Sequence, residues 1–439
     1  MKVAIVGSGP SGFYAAESLL NAEPNFSVDM FEKLPVPFGL VRSGVAPDHP
    51  KLKSVISQYE EVALRQGFRF FGNVNVGEDI SIDDLSQAYS AVIIATGAQA
   101  DRALGIPGEG LIGSHSARSF VNWYNGHPDF RHETFDLSSE AAVIVGMGNV
   151  AMDVCRILLK SVDELRKTDI AVHALDALEK SKVRTVHIVG RRGPAQMKIS
   201  HKELREIAAL PQCALTVADN GLELNEASIV ELDHRTNREN SFNLKLLKET
   251  CGSAPIKSRG TCVLHYLKQP TRILGETKVR GVEFGINILE GEPHSQSIVE
   301  TSKRSTILSG LIFRSVGYKG VPVPGVDFDE THHCISHTKG RVEQGLYCTG
   351  WIKRGPSGVI GTNRADSIET VESLLEDLPN LKNTNEDAVK ILLRKLEGRV
   401  SKIVTYSDWQ IIDSVEKALG KKYSKPRQKL VTVEEMLQC

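Results

Sequence analysis

The chain has 439 residues, of which 53 are Lys or Arg and 54 are Asp or Glu, giving a formal net charge of −1. So even a balance leaves no global basic field for nucleic acid, and no apolar run reaches the roughly 18 residues a membrane span requires. At about 150 residues per domain the length predicts two or three domains with sizeable cores.

The seven cysteines are scattered, without a CxxC or CxxxxC pair. A redox-active disulfide and an iron–sulfur cluster both need close, repeated cysteine spacing, so the chain is not expected to carry either, and no metal site is expected. If the protein moves electrons, an organic cofactor must hold them.

The first element is the apolar run Val3-Ala4-Ile5-Val6, too short for a helix and followed at once by Gly7-x-Gly9-x-x-Gly12. Phe13 to Leu20 then carries apolar residues at helical spacing. Strand, glycine turn and helix place backbone N–H groups and the positive end of a helix where a pyrophosphate sits. A side chain at Gly7 would block the turn, and one at Gly9 would collide with phosphate. Glu32 closes the next apolar strand, Ser27 to Phe31, 20 residues past Gly12. An acid there accepts from both ribose hydroxyls and repels a 2′-phosphate, so the first nucleotide is expected to be FAD or NAD, not NADP.

Residues 33–50 carry four prolines and two glycines yet are apolar, which predicts an ordered loop without regular structure, laid on something large and flat. A helix is expected from about Lys51 to Gln66, then strands Phe68 to Phe71 and Val74 to Val76. Ala91 to Ile94 is a buried strand ending in the small residues Ala95-Thr96-Gly97, which permit close approach of another backbone.

After a crossover at Arg102 to Pro107, a second unit begins. Ala141 to Val145 is a strand, Gly146-Met147-Gly148-Asn149-Val150-Ala151 is the GxGxxA variant, and Met152 to Lys160 reads as helix. Residues 161–182 read as an extra helical excursion. The matching strand Thr185 to Gly190 ends in Arg191-Arg192-Gly193, two guanidinium forks where the first unit has Glu32. Arginine in that place binds a 2′-phosphate, so the second nucleotide is expected to be NADP(H).

Residues 210–310 alternate in short turn-bounded stretches, such as Gly260 to Leu267 and Lys278 to Phe284, which predict an antiparallel meander. Leu308 to Gly317 is another apolar strand with a small-residue end. After the strand at Gly345 to Gly350 comes the glycine-rich loop Arg354 to Asn363, with a helix expected from near Ser357 to about Glu376. Its positive end would face negative charge developing on a flavin. The tail from about Asn383 to Cys439 reads as charged and helical, with Trp409 as a packing anchor.

Taken together, the stretches VAIVGSGPSGFYAAE, PVPFGLVRSGVAPDHP, IIATGA, VIVGMGNVAMD, VGRRGPAQ with KELRE, and GWIKRGPSGVIGTN resemble the adrenodoxin reductase family of ferredoxin–NADP⁺ reductases, flavoproteins of the glutathione-reductase superfamily. The resemblance implies an α/β fold of two Rossmann-like βαβ nucleotide-binding domains, the NADP domain inserted into a discontinuous FAD domain. The FAD domain would comprise residues 1–101 and 327–439, and the NADP domain 102–326. It implies that Ser11, Glu32, Leu40, Val76, Trp351, Gly358, Val359 and Ile360 contact FAD, beside Gly7, Gly9 and Gly12 of the turn. Gly148, Asn149, Val150, Arg191, Arg192, Glu203 and Gly358 would contact NADP, with Gly146 opening that turn. His49 and Asp153 would lie near the nicotinamide. His49, between Asp48 and a proline, suits a fixed, hydrogen-bonded imidazole ring that tunes and positions.

Three departures stand out. Ser11 replaces the family's alanine, Lys198-Ile199-Ser200 replaces a more aromatic stretch, and the basic residues Arg205, Arg235 and Arg238 are interleaved with Glu203, Glu206, Glu231, Asp233 and Glu239. The implied activity is electron transfer from NADPH through FAD to a small acidic 2Fe-2S or other ferredoxin, by a monomer without a membrane span. Rival readings are a diaphorase, a monooxygenase, a disulfide reductase, and an electron-carrier or regulatory subunit that never turns over NADPH alone. Because the first strand starts at residue 2, no leader is expected. The expected location is the cytoplasm, or the mitochondrial matrix after processing.

Overall fold

A computed structural model describes residues 1–23, 25–251 and 259–439. They form two compact units, one of Met1–Arg102, Asn125–Arg131 and Gly317–Cys439, the other of Ala103–Tyr124 and His132–Val316. The return to the first unit, expected at residue 327, comes at Gly317. There Tyr318–Lys319 pairs antiparallel with Ala100–Asp101, and the Tyr318 ring lies 5.9 Å from that of Trp351.

The first unit is built on a six-stranded sheet in the order Arg341–Glu343, Leu346–Cys348, Ala91–Ile94, Lys2–Val6, Ser27–Glu32, Phe68–Gly72. All pairs are parallel except the first. The central strands are apolar throughout because both faces are covered. Val3 and Ile5 face Phe13, Ala16 and Trp409, whereas Ala4 and Val6 face Leu85, Leu392 and Leu396. Trp409 is therefore a packing anchor, 2% exposed, on one of the helices that make the tail helical.

The second unit repeats the plan with a six-stranded parallel sheet in the order Ser114–Ser116, Leu311–Arg314, Ala141–Val145, Thr185–Val189, Gly260–His265, Cys213–Val217. A three-stranded antiparallel sheet, Lys268–Gly275, Val279–Glu290 and Ser297–Leu308, packs Ile273, Val282 and Phe284 on Val143, Val145 and Ile312.

The chain differs from the expected elements in several places. The meander over 210–310 is reduced to that three-stranded sheet. Gly260–His265 joins the parallel sheet instead, and helices Glu226–Asp233 and Arg238–Cys251 occupy the stretch before it, while residues 252–258 of the expected meander lie outside the described residues. Alternation records which face a side chain takes and not the direction of the neighbouring strand. The helix expected at Lys51 to Gln66 is broken into Pro50–Lys53 and Ile56–Ala63, and Val74 to Val76 forms no strand among the described residues, making the isolated bridge Val76 to Ile80. Asn73 and Gly77, both at positive φ, turn the chain too often for a strand. The excursion at 161–182 is two helices, Val162–Leu165 and Val172–Glu179, and the loop 33–50 holds one short helix, Gly39–Ser43.

Candidate functional site

The two glycine turns have the same construction. Gly7 has φ +106°, and a Cβ on it would lie 2.5 Å from the Ala95 carbonyl oxygen. Gly146 has φ +120°, and its Cβ would press into the carbonyl of Ser315. The small-residue ends of Ala91–Ile94 and Leu311–Arg314 are thus the backs against which the turns fold. A Cβ on Gly12 would meet the Gly7 carbonyl, so the third glycine sets how closely helix Pro10–Asn21 approaches its strand.

The second glycines behave differently. A Cβ on Gly9 or Gly148 would meet nothing within 4 Å. Each of these residues is the N-cap of its helix, Pro10–Asn21 or Asn149–Leu159, without a side-chain cap and without an acid in the first turn. Uncapped N–H groups beside open space, at the positive end of a helix, fit a phosphate ligand.

The residues beyond each turn set the two units apart. In the first, the Glu32 carboxylate accepts from the Ser8 N–H at 3.0 Å, the Ser8 Oγ at 2.6 Å and the Leu34 N–H at 3.1 Å. It is pinned to the turn and lines a cleft together with Leu34, Val36, Gly39, Arg42 and Asn125. In the second, the Arg191 and Arg192 side chains are exposed and make no ion pair among the described residues. Their main chain is held: the Arg191 carbonyl accepts from Asn287 Nδ2 at 3.0 Å and the Arg192 carbonyl from the Leu267 N–H at 3.1 Å.

The loop 33–50 is folded back on the first turn. The Phe38 N–H donates to the Ser8 carbonyl at 3.0 Å, and a Cβ on Gly39 would stand 3.0 Å from Gly9 Cα. Phe38 reaches this bend with φ +83°, a conformation that a bulky residue keeps only when its surroundings force it. Here they do, because its buried ring meets Trp409 edge-on at 5.7 Å and Phe13 at 5.5 Å. The fold carries Leu40 past the turn, and His49, 7% exposed, precedes Pro50–Lys53 with its N–H donated to the Ala46 carbonyl.

Sequence reasoning missed what holds this loop. Arg42 is buried and makes two hydrogen bonds to Glu416, at 2.9 and 2.5 Å, with its guanidinium 5.2 Å from the Trp409 ring. Arg427 joins Glu416 at 3.0 Å and Asp413 at 2.7 Å. Burial alone would raise the Asp413 carboxyl, but Lys417 and Arg427 bring it below the usual carboxylate range. Lys429 donates to the Arg42 carbonyl at 3.1 Å. Partners more than 370 positions apart leave no local signal.

Around the last glycine loop, Gly350 at φ +78° abuts Ser11, whose Oγ lies 3.1 Å from Asn363 Oδ1. Asp366 accepts from the Gly350 N–H at 2.5 Å and pairs with the buried Lys353 at 3.2 Å. Trp351 Nε1 donates to the Ser357 carbonyl at 3.2 Å, and Arg354 holds the same carbonyl and Asn363. Gly358 and Val359 stay exposed, Val359 by 70%. The helix expected from near Ser357 is Thr362–Glu376, preceded by the short Trp351–Arg354, because Gly355 and Gly358 at positive φ keep the chain irregular between them.

In the second unit Asn149 Oδ1 accepts from the Ser200 N–H at 2.9 Å, and Lys198 bridges to Gly148, so Lys198-Ile199-Ser200 packs on the glycine turn. Val150 is half-buried. Asp153 pairs with Arg156 at 2.6 Å, and the buried Glu203 pairs with the same guanidinium at 2.8 Å. The burial of Arg156, 1% exposed, was not anticipated, since its buried partner Glu203 lies 47 residues away.

All seven cysteines are free. Burial raises the Cys155 and Cys348 thiols well above their ordinary range and pushes Cys213 up to about 12, so these sulfurs are not nucleophiles.

Two glycine turns at helix N-termini, one beside a pinned acid and one beside two arginines without an ion pair among the described residues, suit an oxidoreductase that handles two dinucleotides. Comparison with known proteins agrees. The family described as pyridine nucleotide-disulphide oxidoreductase matches residues 1–209, a span with Cys155 as its single cysteine. The chain is 45% identical over 446 residues to the NADPH-ferredoxin reductase FprA of Mycobacterium leprae, covering 99% of this chain and 97% of that protein. It is 43% identical over 453 residues to the mitochondrial NADPH:adrenodoxin oxidoreductase of Salvelinus fontinalis, covering 100% and 90%. The structure of Mycobacterium tuberculosis FprA in complex with NADPH superposes with a TM-score of 0.92 at 43% identity, covering 100% of this chain and 98% of that one. The chain belongs to the adrenodoxin reductase and FprA family. It is an NADPH-dependent flavoprotein oxidoreductase with FAD and NADP(H) as cofactors, and no described helix is long and apolar enough to cross a membrane.

Proposed function

We propose that the unit containing Met1–Arg102 holds FAD and the unit containing His132–Val316 holds NADP(H), and that the protein passes electrons from NADPH to a small acidic ferredoxin. Bound FAD supplies the conversion between two-electron hydride chemistry and one-electron transfer. The rest is positioning by the chain.

In the first unit Gly7, Gly9, Ser11 and Gly12 cradle a pyrophosphate, Glu32 accepts from ribose hydroxyls, and Leu40 and Val76 flank the ligand. Trp351, Gly358, Val359 and Ile360 stand at its redox end, Gly358 also meeting the nicotinamide nucleotide. In the second unit Gly146, Gly148, Asn149 and Val150 take the pyrophosphate and Arg191 with Arg192 the 2′-phosphate. Glu203 steadies Arg156, and His49 and Asp153 orient the nicotinamide. The NADP unit is then an insertion in a discontinuous FAD unit. The protein acts as a monomer, in the cytoplasm or, as relatives named mitochondrial support, in that organelle after processing.

The observation that carries this reading is the contrast between Glu32, tied to its turn, and Arg191-Arg192, exposed and unpaired among the described residues. Replacing both arginines by alanine should raise the NADPH KM while leaving the NADH KM nearly unchanged. Lost charge-assisted contacts of this kind amount to roughly 2–5 kcal/mol. Equal effects on both cofactors would refute the assignment. Anaerobic mixing with NADPH should bleach the flavin band rapidly, and an unbleached band would instead indicate a carrier subunit.

A further inference from the structure

We infer that Asn287 is a specificity-determining positioning residue, which gives the second unit its preference for a 2′-phosphate by fixing the main chain beneath Arg191 and Arg192. This rests on the reading of that arginine pair as the 2′-phosphate site. Two solvated guanidinium groups on a loose strand end would spend much of their binding energy on ordering themselves. Their effect on cofactor choice therefore depends on what holds the backbone.

The run Gly190 to Arg192 has every carbonyl satisfied from one side. The Lys268 N–H donates to the Gly190 carbonyl at 3.0 Å, Asn287 Nδ2 to Arg191 at 3.0 Å, and the Leu267 N–H to Arg192 at 3.1 Å. Two of these donors belong to the corner at Leu267, which is left-handed with φ +57°. Asn287 fixes that corner as well, since its own N–H donates to the Leu267 carbonyl at 2.7 Å. One residue thus braces Arg191 directly and Arg192 through Leu267.

Asn287 sits on the strand Val279–Glu290 where its register against Ser297–Leu308 shifts between Gly285 and Asn287. Such a bulge re-aims a side chain, here toward the arginine run. The residue is 1% exposed, and its Oδ1 has no hydrogen-bond partner among the described residues. A buried carboxamide with an unsatisfied oxygen is a poor stabiliser. What it contributes is its one side-chain bond, to the carbonyl of Arg191.

The test uses the FAD-loaded protein and two probes that differ by one phosphate, 2′,5′-ADP and 5′-ADP, titrated by calorimetry. Asn287→Leu keeps the branching at Cγ and removes both the donor and the orphaned oxygen. The wild type should prefer 2′,5′-ADP, Arg191→Ala with Arg192→Ala should abolish that preference, and Asn287→Leu should reduce it about five- to tenfold, as expected for one lost hydrogen bond, with 5′-ADP affinity unchanged. Asn287→Asp, which presents an acceptor to the same carbonyl, should reduce it at least as far. Unchanged flavin absorbance and thermal midpoint confirm that the variants fold. If the arginine variant loses the preference but Asn287→Leu retains it, or loses affinity for both probes equally, the inference is overturned and the arginine assignment stands. If the arginine variant keeps the preference, the assignment itself fails and the inference with it.

Discussion

Two glycines of one turn should respond to the same substitution with opposite signs. Gly146 has φ +120°, and an alanine methyl there would press into the Ser315 carbonyl. A forced left-handed alanine costs about 1–3 kcal/mol, and displacing a packed backbone adds a further ~1–3 kcal/mol. Gly146→Ala should therefore lower stability by roughly 2–6 kcal/mol, a large share of the 5–15 kcal/mol typical of a domain. Gly148 has φ −134°, which alanine adopts freely, and its Cβ would enter open space. There the substitution restricts the unfolded chain and should raise stability by about 0.4–1 kcal/mol. The same methyl occupies the space where a pyrophosphate would approach, and overpacking by one carbon costs ~1–3 kcal/mol, or about five- to 150-fold in affinity. Thermal unfolding with and without NADP⁺ reads both effects. At a ligand concentration of about 100 Kd the wild type should gain ~2.7 kcal/mol, and Gly148→Ala should lose about 1–2.4 kcal/mol of that increment while its unliganded midpoint is unchanged or higher. A Gly148→Ala protein as unstable as Gly146→Ala, or one with wild-type NADP⁺ stabilisation, would refute the steric assignment of the two positions.

Further outcomes come from buried charge and from the thiols. Glu416 is fully buried between Arg42 and Arg427, so Glu416→Gln should cost about 3–5 kcal/mol by leaving the buried Arg42 cation without its ion pair. Faster loss of FAD on dialysis should accompany the lowered melting point, because Arg42 belongs to the loop folded on the first turn. Burial, and after it the charges of Lys268 and His187, hold His265 down to about 4, and burial with Arg314 does the same for His115. The unfolded chain takes up a proton near pH 6.5 and the folded one near 4. Stability is therefore complete above 6.5 and falls by roughly 2 kcal/mol per histidine between pH 7 and pH 5. Urea midpoints at the two pH values should converge in His115→Gln with His265→Gln, and an unaltered pH slope would contradict this. Native thiol titration should show Cys439, the exposed one, reacting first. NADPH-dependent reduction of an aromatic disulfide by the protein alone would contradict the absence of a reactive cysteine pair.

What the sequence reveals and hides depends on the range of the forces involved. The glycine turns are legible because their cause is local: φ near +106° or +120° admits glycine, and the residues that crowd it are backbone. The small-residue ends at Ala95 and Ser315 are visible as a pattern but gain their reason only when each is found behind a turn. Strand direction is hidden. Gly260–His265 alternates like a hairpin strand, yet it lies parallel between Thr185–Val189 and Cys213–Val217 because the helices Glu226–Asp233 and Arg238–Cys251 carry the chain back before it. Least legible are the charges that act inside the protein. Arg42, Arg156 and Lys353 look like ordinary surface cations, and nothing near them in sequence announces Glu416, Glu203 or Asp366.

The same contrast explains why cofactor choice would not move with a single substitution. Glu32 does two jobs, facing the cleft and accepting from both the N–H and the hydroxyl of the fully buried Ser8. Glu32→Arg would bring a cation to the first turn, but it would strip Ser8 of its acceptor and leave two buried donors unsatisfied, at about 1–3 kcal/mol each. In the second unit the corresponding work is divided. The turn is backed by Ser315, the strand end is braced by Asn287 and Leu267, and the exposed guanidinium groups of Arg191 and Arg192 make no ion pair among the described residues. The second unit can therefore lose its arginines and stay folded. The first cannot exchange its acid without loosening the turn, so Glu32→Arg should lower the melting point and release FAD, not accept a 2′-phosphate.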